Sequence, residues 1–85
     1  ALEQNYPNPF NPTTTIGFTL QYSGLTTLKI YDAIGREVAT LVNDNLEAGV
    51  YFQKQFESEH LASGIYFAKL SSIGTSQTRR LLLLK

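Results

Sequence analysis

Few side chains in this sequence can carry chemistry, and their spacing limits what they can do. His60 is the single histidine and sits between Ser58 and Ser63, the residue types of a serine hydrolase. A nucleophile also needs an oriented base, a third group that orients that base, and an oxyanion site. Nothing in the spacing of this loop supplies the last two, so an ordinary solvated histidine is the better reading. Asp32, Asp44, Glu47, Glu57 and Glu59 are the carboxylates that could gather round calcium, which takes about six to eight oxygens. They lack the alternating acid spacing of a preformed calcium loop, and read as residues that solubilise turns. Tyr22, Tyr31 and Tyr51 could stack on sugar rings from an exposed face. Aromatic residues are favoured in strands for packing alone, however, and the structural reading is the stronger. Neither a catalytic centre nor a cofactor or metal site is expected.

One stretch stands apart. Leu81-Leu82-Leu83-Leu84 follows Arg79-Arg80 and precedes Lys85. Alternation with period two cannot bury all four leucines against one core. Leu81 and Leu83 are expected to pack inward, with Arg80, Leu82, Leu84 and Lys85 outward. Either an N-terminal segment covers the outward pair, or the pair forms a surface that a protein partner buries.

The 85 residues fit one domain, and a chain this short buries only about 60–65% of its unfolded surface. With no cysteine and no metal cluster, apolar packing and sheet pairing must hold it together. Five Tyr and five Phe, without Trp or Met, suit a small β domain. Seven basic and seven acidic residues cancel, which counts against a nucleic-acid partner. The balance is uneven, because from His60 onward Lys69, Arg79, Arg80 and Lys85 meet no acid. No segment reaches the roughly 18 apolar residues that span a bilayer as a helix. Beginning Ala1-Leu2-Glu3 without an initiator methionine, the chain is expected to be a piece of a longer protein.

The elements that must position these residues follow from the same alternation. Leu61 to Leu70 opens with a Ser63-Gly64 corner and then alternates, with Tyr66, Ala68 and Leu70 on one face and Ile65, Phe67 and Lys69 on the other. A tyrosine just after such a corner matches the tyrosine corner of immunoglobulin-like sandwiches, whose hydroxyl bonds backbone a few residues upstream. Gly64 to Leu70 is therefore expected as a central strand.

Before it, residues 5 to 12 carry three prolines, cannot be helix, and read as a stiff flap with Phe10 as the plug into the core. Thr13 to Leu20 is a strand with Ile16, Phe18 and Leu20 inward, and Leu25 to Tyr31 a second with Leu28 and Ile30 inward. Asp32 to Gly35 is a tight turn in which Gly35 supplies positive φ. Arg36 to Val42 is a third strand, and Asn43 to Gly49 a polar loop. Tyr51 to Phe56 is a fourth strand whose mixed parity calls for a bulge. Gln77 to Leu84 closes the domain, and a short further strand is expected near Leu2 to Gln4. The expected architecture is all-β, a small antiparallel immunoglobulin-like sandwich of six to seven strands, with flap 1–12 and sandwich 13–85.

Asn5-Tyr6-Pro7-Asn8-Pro9-Phe10-Asn11-Pro12-Thr13-Thr14, followed by Thr15-Ile16-Gly17-Phe18-Thr19-Leu20, resembles the opening of the type IX secretion system type A C-terminal sorting domain. Ile30-Tyr31-Asp32-Ala33-Ile34-Gly35-Arg36-Glu37-Val38 resembles that family's second block. Ala48-Gly49, Leu61-Ala62-Ser63-Gly64-Ile65-Tyr66 and Leu81 to Lys85 resemble later blocks. The Tyr31-Asp32 and Ser63-Gly64-Ile65-Tyr66 blocks are shared with the related immunoglobulin-like domain of flagellar hook-capping proteins. Between Gly49 and Leu61 the chain is about a residue longer than the family pattern, which again points to a bulge.

The resemblance implies a role as an address. Such domains follow secreted enzymes and adhesins of Bacteroidota-like bacteria and fold in the periplasm. An outer-membrane translocon recognises them, and a surface transpeptidase cleaves them off. The implied partners are that translocon, the transpeptidase and an upstream cargo domain, and the implied destination is the cell surface or the medium. Candidate recognition residues are Arg79, Arg80, Leu82, Leu84 and Lys85 on the last strand, and Asn5, Pro7, Asn8 and Pro9 on the flap. Phe10, Tyr31, Asp32, Gly35, Gly49, Gly64 and Tyr66 are expected to be structural. The alternative is a carbohydrate-binding or structural immunoglobulin-like accessory module of a secreted enzyme.

Overall fold

Alternating apolar residues and Gly-marked turns produce six strands and no helix in the computed structural model, which describes residues 1–85. They are β1 (Thr13–Phe18), β2 (Gly24–Asp32), β3 (Glu37–Leu46), β4 (Phe52–Glu57), β5 (Gly64–Ser72) and β6 (Thr75–Leu83). A four-stranded sheet has the order β3-β2-β5-β6, and β1 pairs β4 in a second, two-stranded sheet. Every pairing is antiparallel, and the two inner faces share one core. The fold is an all-β sandwich.

β5 lies inside the larger sheet, between β2 and β6. Tyr66, Ala68 and Leu70 are buried on its inner face, and Ile65, Phe67 and Lys69 point outward. The Tyr66 hydroxyl donates to the Ala62 carbonyl at 2.7 Å, closing the corner four residues upstream. Leu28 and Ile30 of β2, Ile16 and Phe18 of β1, and Phe56 of β4 complete the centre, with Leu20 buried just beyond β1.

The β2–β3 turn follows its sequence. Asp32 Oδ1 accepts from the amides of Ile34 and Arg36, and Gly35 takes φ of +90°. The Arg36 amide, followed by the guanidinium beside it, holds the Asp32 carboxyl below its ordinary pKa against partial desolvation.

Three expectations need correction. β3 does not end at Val42 but runs to Leu46, with Asn43, Asp44 and Asn45 paired to Thr27, Thr26 and Leu25. β3 is an edge strand, and there polar side chains reach water while the backbone still pairs. The bulge also lies elsewhere. β1 and β4 pair without a shift from Thr13↔Glu57 to Phe18↔Phe52, whereas the β2–β3 ladder slips at Leu28/Lys29 and at Ile30/Tyr31. Lys54 keeps the inward parity of Phe52 and Phe56 yet stays exposed, because β4 is also an edge strand and a long side chain can reach solvent from it.

No seventh strand forms. The N-terminal segment instead makes single bridges, Leu2 to Phe18, Tyr6 to Thr15, and Phe10, in parallel sense, to Leu83. It lies along the free edge of β1 and then crosses to the free edge of β6, burying Leu2 and Phe10. The Phe10 ring packs against Phe56 at 6.1 Å between centroids. Each burial removes an apolar side chain from water, worth about 1.5–3 kcal/mol.

Candidate functional site

The residues that suggested catalysis are not brought together. Ser58 is buried, and its hydroxyl donates to the Pro12 carbonyl at 2.7 Å. Ser63 Oγ accepts from the Lys85 amide, and His60 is exposed without a hydrogen bond to either serine. No three His, Cys, Asp or Glu side chains gather where a metal could sit. Tyr22 lies in the β1–β2 connection, Tyr31 on the outer face of the large sheet, and Tyr51 over the small sheet, so they form no common platform. Tyr51 lies above Gly17, where a Cβ would strike its hydroxyl, and that hydroxyl donates to Glu3 Oε1 at 2.7 Å.

The seam between flap and β6 does gather candidate residues from both ends of the sequence. Asn8 Oδ1 accepts from the Leu82 amide at 2.9 Å, the Phe10 amide donates to the Leu82 carbonyl at 3.0 Å, and the Leu84 amide to the Phe10 carbonyl at 3.1 Å. Gln4 Nε2 donates to the Arg80 carbonyl at 2.7 Å. Alternation then splits the leucines. Leu81 and Leu83 have no exposure, Leu82 is half-buried, and Leu84 is 52% exposed. Asn8, Pro9, Arg80 and Leu82 line a groove of about 420 Å³, together with Ile65. Ile65 stands directly across the ladder from Leu82 and is 40% exposed.

Other candidates have different places. Asn5 is 3% exposed and faces inward, not toward a partner. Its amide donates to Thr14 Oγ1 at 2.9 Å and to the Pro7 carbonyl at 3.1 Å, and its Oδ1 accepts from Gln4 Nε2 at 2.7 Å. A buried amide is costly unless bonded, and this one staples the flap to β1. Arg79 shares parity with Leu81 and Leu83, and its Nε donates to the Leu2 carbonyl at 2.8 Å. Lys85 Nζ donates to the Glu59 carbonyl at 2.8 Å, tying the chain end to the β4–β5 loop. Pro7 is exposed while its carbonyl accepts from Asn5 and Thr14. Ile65 was not among the sequence candidates. Its signal was the outward parity of β5 combined with the β5–β6 register, and only the first was readable.

Comparison with known families gives this geometry its context. A family model described as "Secretion system C-terminal sorting domain" matches residues 4–84. No curated protein and no solved structure matches the chain. The matched span takes in the flap from Gln4, all six strands and the seam that joins them, and the chain belongs to the type IX secretion system C-terminal sorting domain family.

Proposed function

We propose that the domain is read, already folded, by the outer-membrane translocon of the type IX system through the seam between flap and β6. A surface transpeptidase then severs it from its cargo. Family membership supports export across the outer membrane to the cell surface or the medium. The observation that carries the finer reading is the convergence of Asn8, Pro9, Arg80 and Leu82 on one exposed groove. Leu84 and Lys85 extend the same end of the molecule. Transit through the periplasm precedes that recognition. A sugar-binding role has weaker support, because the tyrosines that motivated it lie on separate surfaces.

Residues 1–85 fused behind a reporter with an export signal, expressed in a type IX-competent host, test the reading. The reporter should appear at the surface or in the medium, shortened by the mass of the domain. A reporter retained in the periplasm defeats it, and a secreted but unshortened one defeats the cleavage step alone.

A further inference from the structure

If the seam is the recognised surface, its chemistry limits what can dock there. We infer that the groove takes a protein segment bearing a carboxylate beside an aliphatic side chain, and reads it by side chains and not by strand addition. At the Leu82–Leu84 end of β6 the backbone is closed to strand addition. Along the outer edge of β6, the Leu82 amide is bonded to Asn8, its carbonyl to the Phe10 amide, and the Leu84 amide to the Phe10 carbonyl. A partner strand would find those groups already paired, and strand addition depends on free ones.

The walls are mixed and the charge is single. Ile65, Leu82 and Pro9 supply the apolar side, Asn8 a polar one, and Arg80 is the one ionised group lining the groove. The two salt bridges of the domain are Lys29–Glu37 and Arg36–Asp32, so no carboxylate pairs with Arg80. Its guanidinium makes no hydrogen bond within the chain, and across the ladder it faces Phe67. An unpaired guanidinium is a planar fork that matches a carboxylate with two parallel bonds. Set beside Ile65 and Leu82, it adds the residue type that is enriched at interface centres. The walls are also held before binding, since Asn8 and Phe10 are bonded to β6, Pro7 and Pro9 flank Asn8, and Pro9 precedes Phe10, which lowers the ordering cost of docking. An anionic lipid surface is a poorer match, because such recognition uses clusters of about four to eight basic residues.

The reporter fusion tests this with point variants whose folding is checked by thermal melts. Arg80→Glu should cut secretion at least about tenfold with an unchanged midpoint, because like charges then face each other. Arg80→Lys keeps the charge without the fork and should fall between. Ile65→Ala should cut secretion about two- to tenfold by removing one apolar wall. Lys54→Glu makes the same change in net charge on exposed β4 and should secrete normally. Full secretion of a folded Arg80→Glu variant overturns the groove while the sorting reading stands. Equal loss in Lys54→Glu also overturns it, since net charge alone would then suffice. Arg80-dependent flotation with phosphatidylglycerol vesicles would replace the protein occupant with a lipid one. If the unmodified fusion stays in the periplasm, the sorting reading falls and the groove's role with it.

Discussion

The two sides of the sandwich solve one problem in opposite ways. Along β1 and the Arg80–Leu83 end of β6 the edges are covered. The Glu3 amide bonds the Gly17 carbonyl, Tyr6 and Thr15 exchange amide bonds, and Phe10 bonds to both Leu82 and Leu84. Along β3 and β4 the edges are open, since neither strand has a second neighbour. There the defence is local, with two register slips in the β2–β3 ladder and a polar Asn43-Asp44-Asn45 run on β3. Bulges and edge charges discourage pairing with other chains, whereas a covering segment removes the edge and adds core. The covered side therefore holds stability that the open side does not.

Breaking the covered side should cost most. Replacing Leu81 and Leu83 together with alanine should cost about 2–5 kcal/mol for each, enough to unfold a domain of ordinary stability. The matching Leu82 and Leu84 pair should cost far less while blocking secretion. Paired denaturant melts and secretion assays decide this, and equal destabilisation would move the recognised surface off β6. Phe10→Ala should cost about 3–5 kcal/mol, because the flap plug leaves a cavity beside Phe56. Leu25→Ala, on the outer face of β2 opposite Asn45, should stay within about 0.5 kcal/mol. Similar midpoints for these two variants would mean that the flap adds nothing to the fold. Tyr66→Phe lies between the two sides and should cost about 1 kcal/mol, the net worth of its bond to Ala62.

The smallest effect separates the sides by pH. On the open side, the Thr40 hydroxyl and then Lys29 hold the Glu37 carboxyl below 4.5, and the Arg36 amide holds Asp32 below 3.8. Both contribute stability above those values and lose it as pH falls through the lowered ones. On the covered side, the bond to Glu3 raises the Tyr51 hydroxyl above 10.0. Its contribution is complete below pH 10.0 and disappears as pH rises through the raised value. Glu37→Gln should flatten the acid arm of the stability profile, and Tyr51→Phe the alkaline arm. A Tyr51→Phe variant that altered only the acid arm would contradict the Glu3 pairing.

Much of the core was readable because alternation is a property of short segments. Ile16 and Phe18, Leu28 and Ile30, Tyr66, Ala68 and Leu70, and Leu81 with Leu83 all followed from parity, and Asp32 to Gly35 from turn chemistry. Three features were not readable. Asn43-Asp44-Asn45 has the composition of a turn, and only its pairing with β2 makes it strand. Asn5 looked like a surface residue because its partners, Gln4, Pro7 and Thr14, come together only when the flap folds onto β1. The groove required knowing that the flap crosses to β6, a contact between residues more than seventy positions apart.

That crossing bears on how the domain carries load. The Leu2 amide bonds the Gln77 side chain and its carbonyl accepts from Arg79, both on β6, while the neighbouring Glu3 amide bonds Gly17 on β1. A pull transmitted from a cargo on the Ala1 side therefore reaches both sheets within three residues. Tension is shared between the two layers and does not peel one strand away from the other. A load entering at the N-terminal end is thus met by hydrogen bonds to both layers at its point of entry.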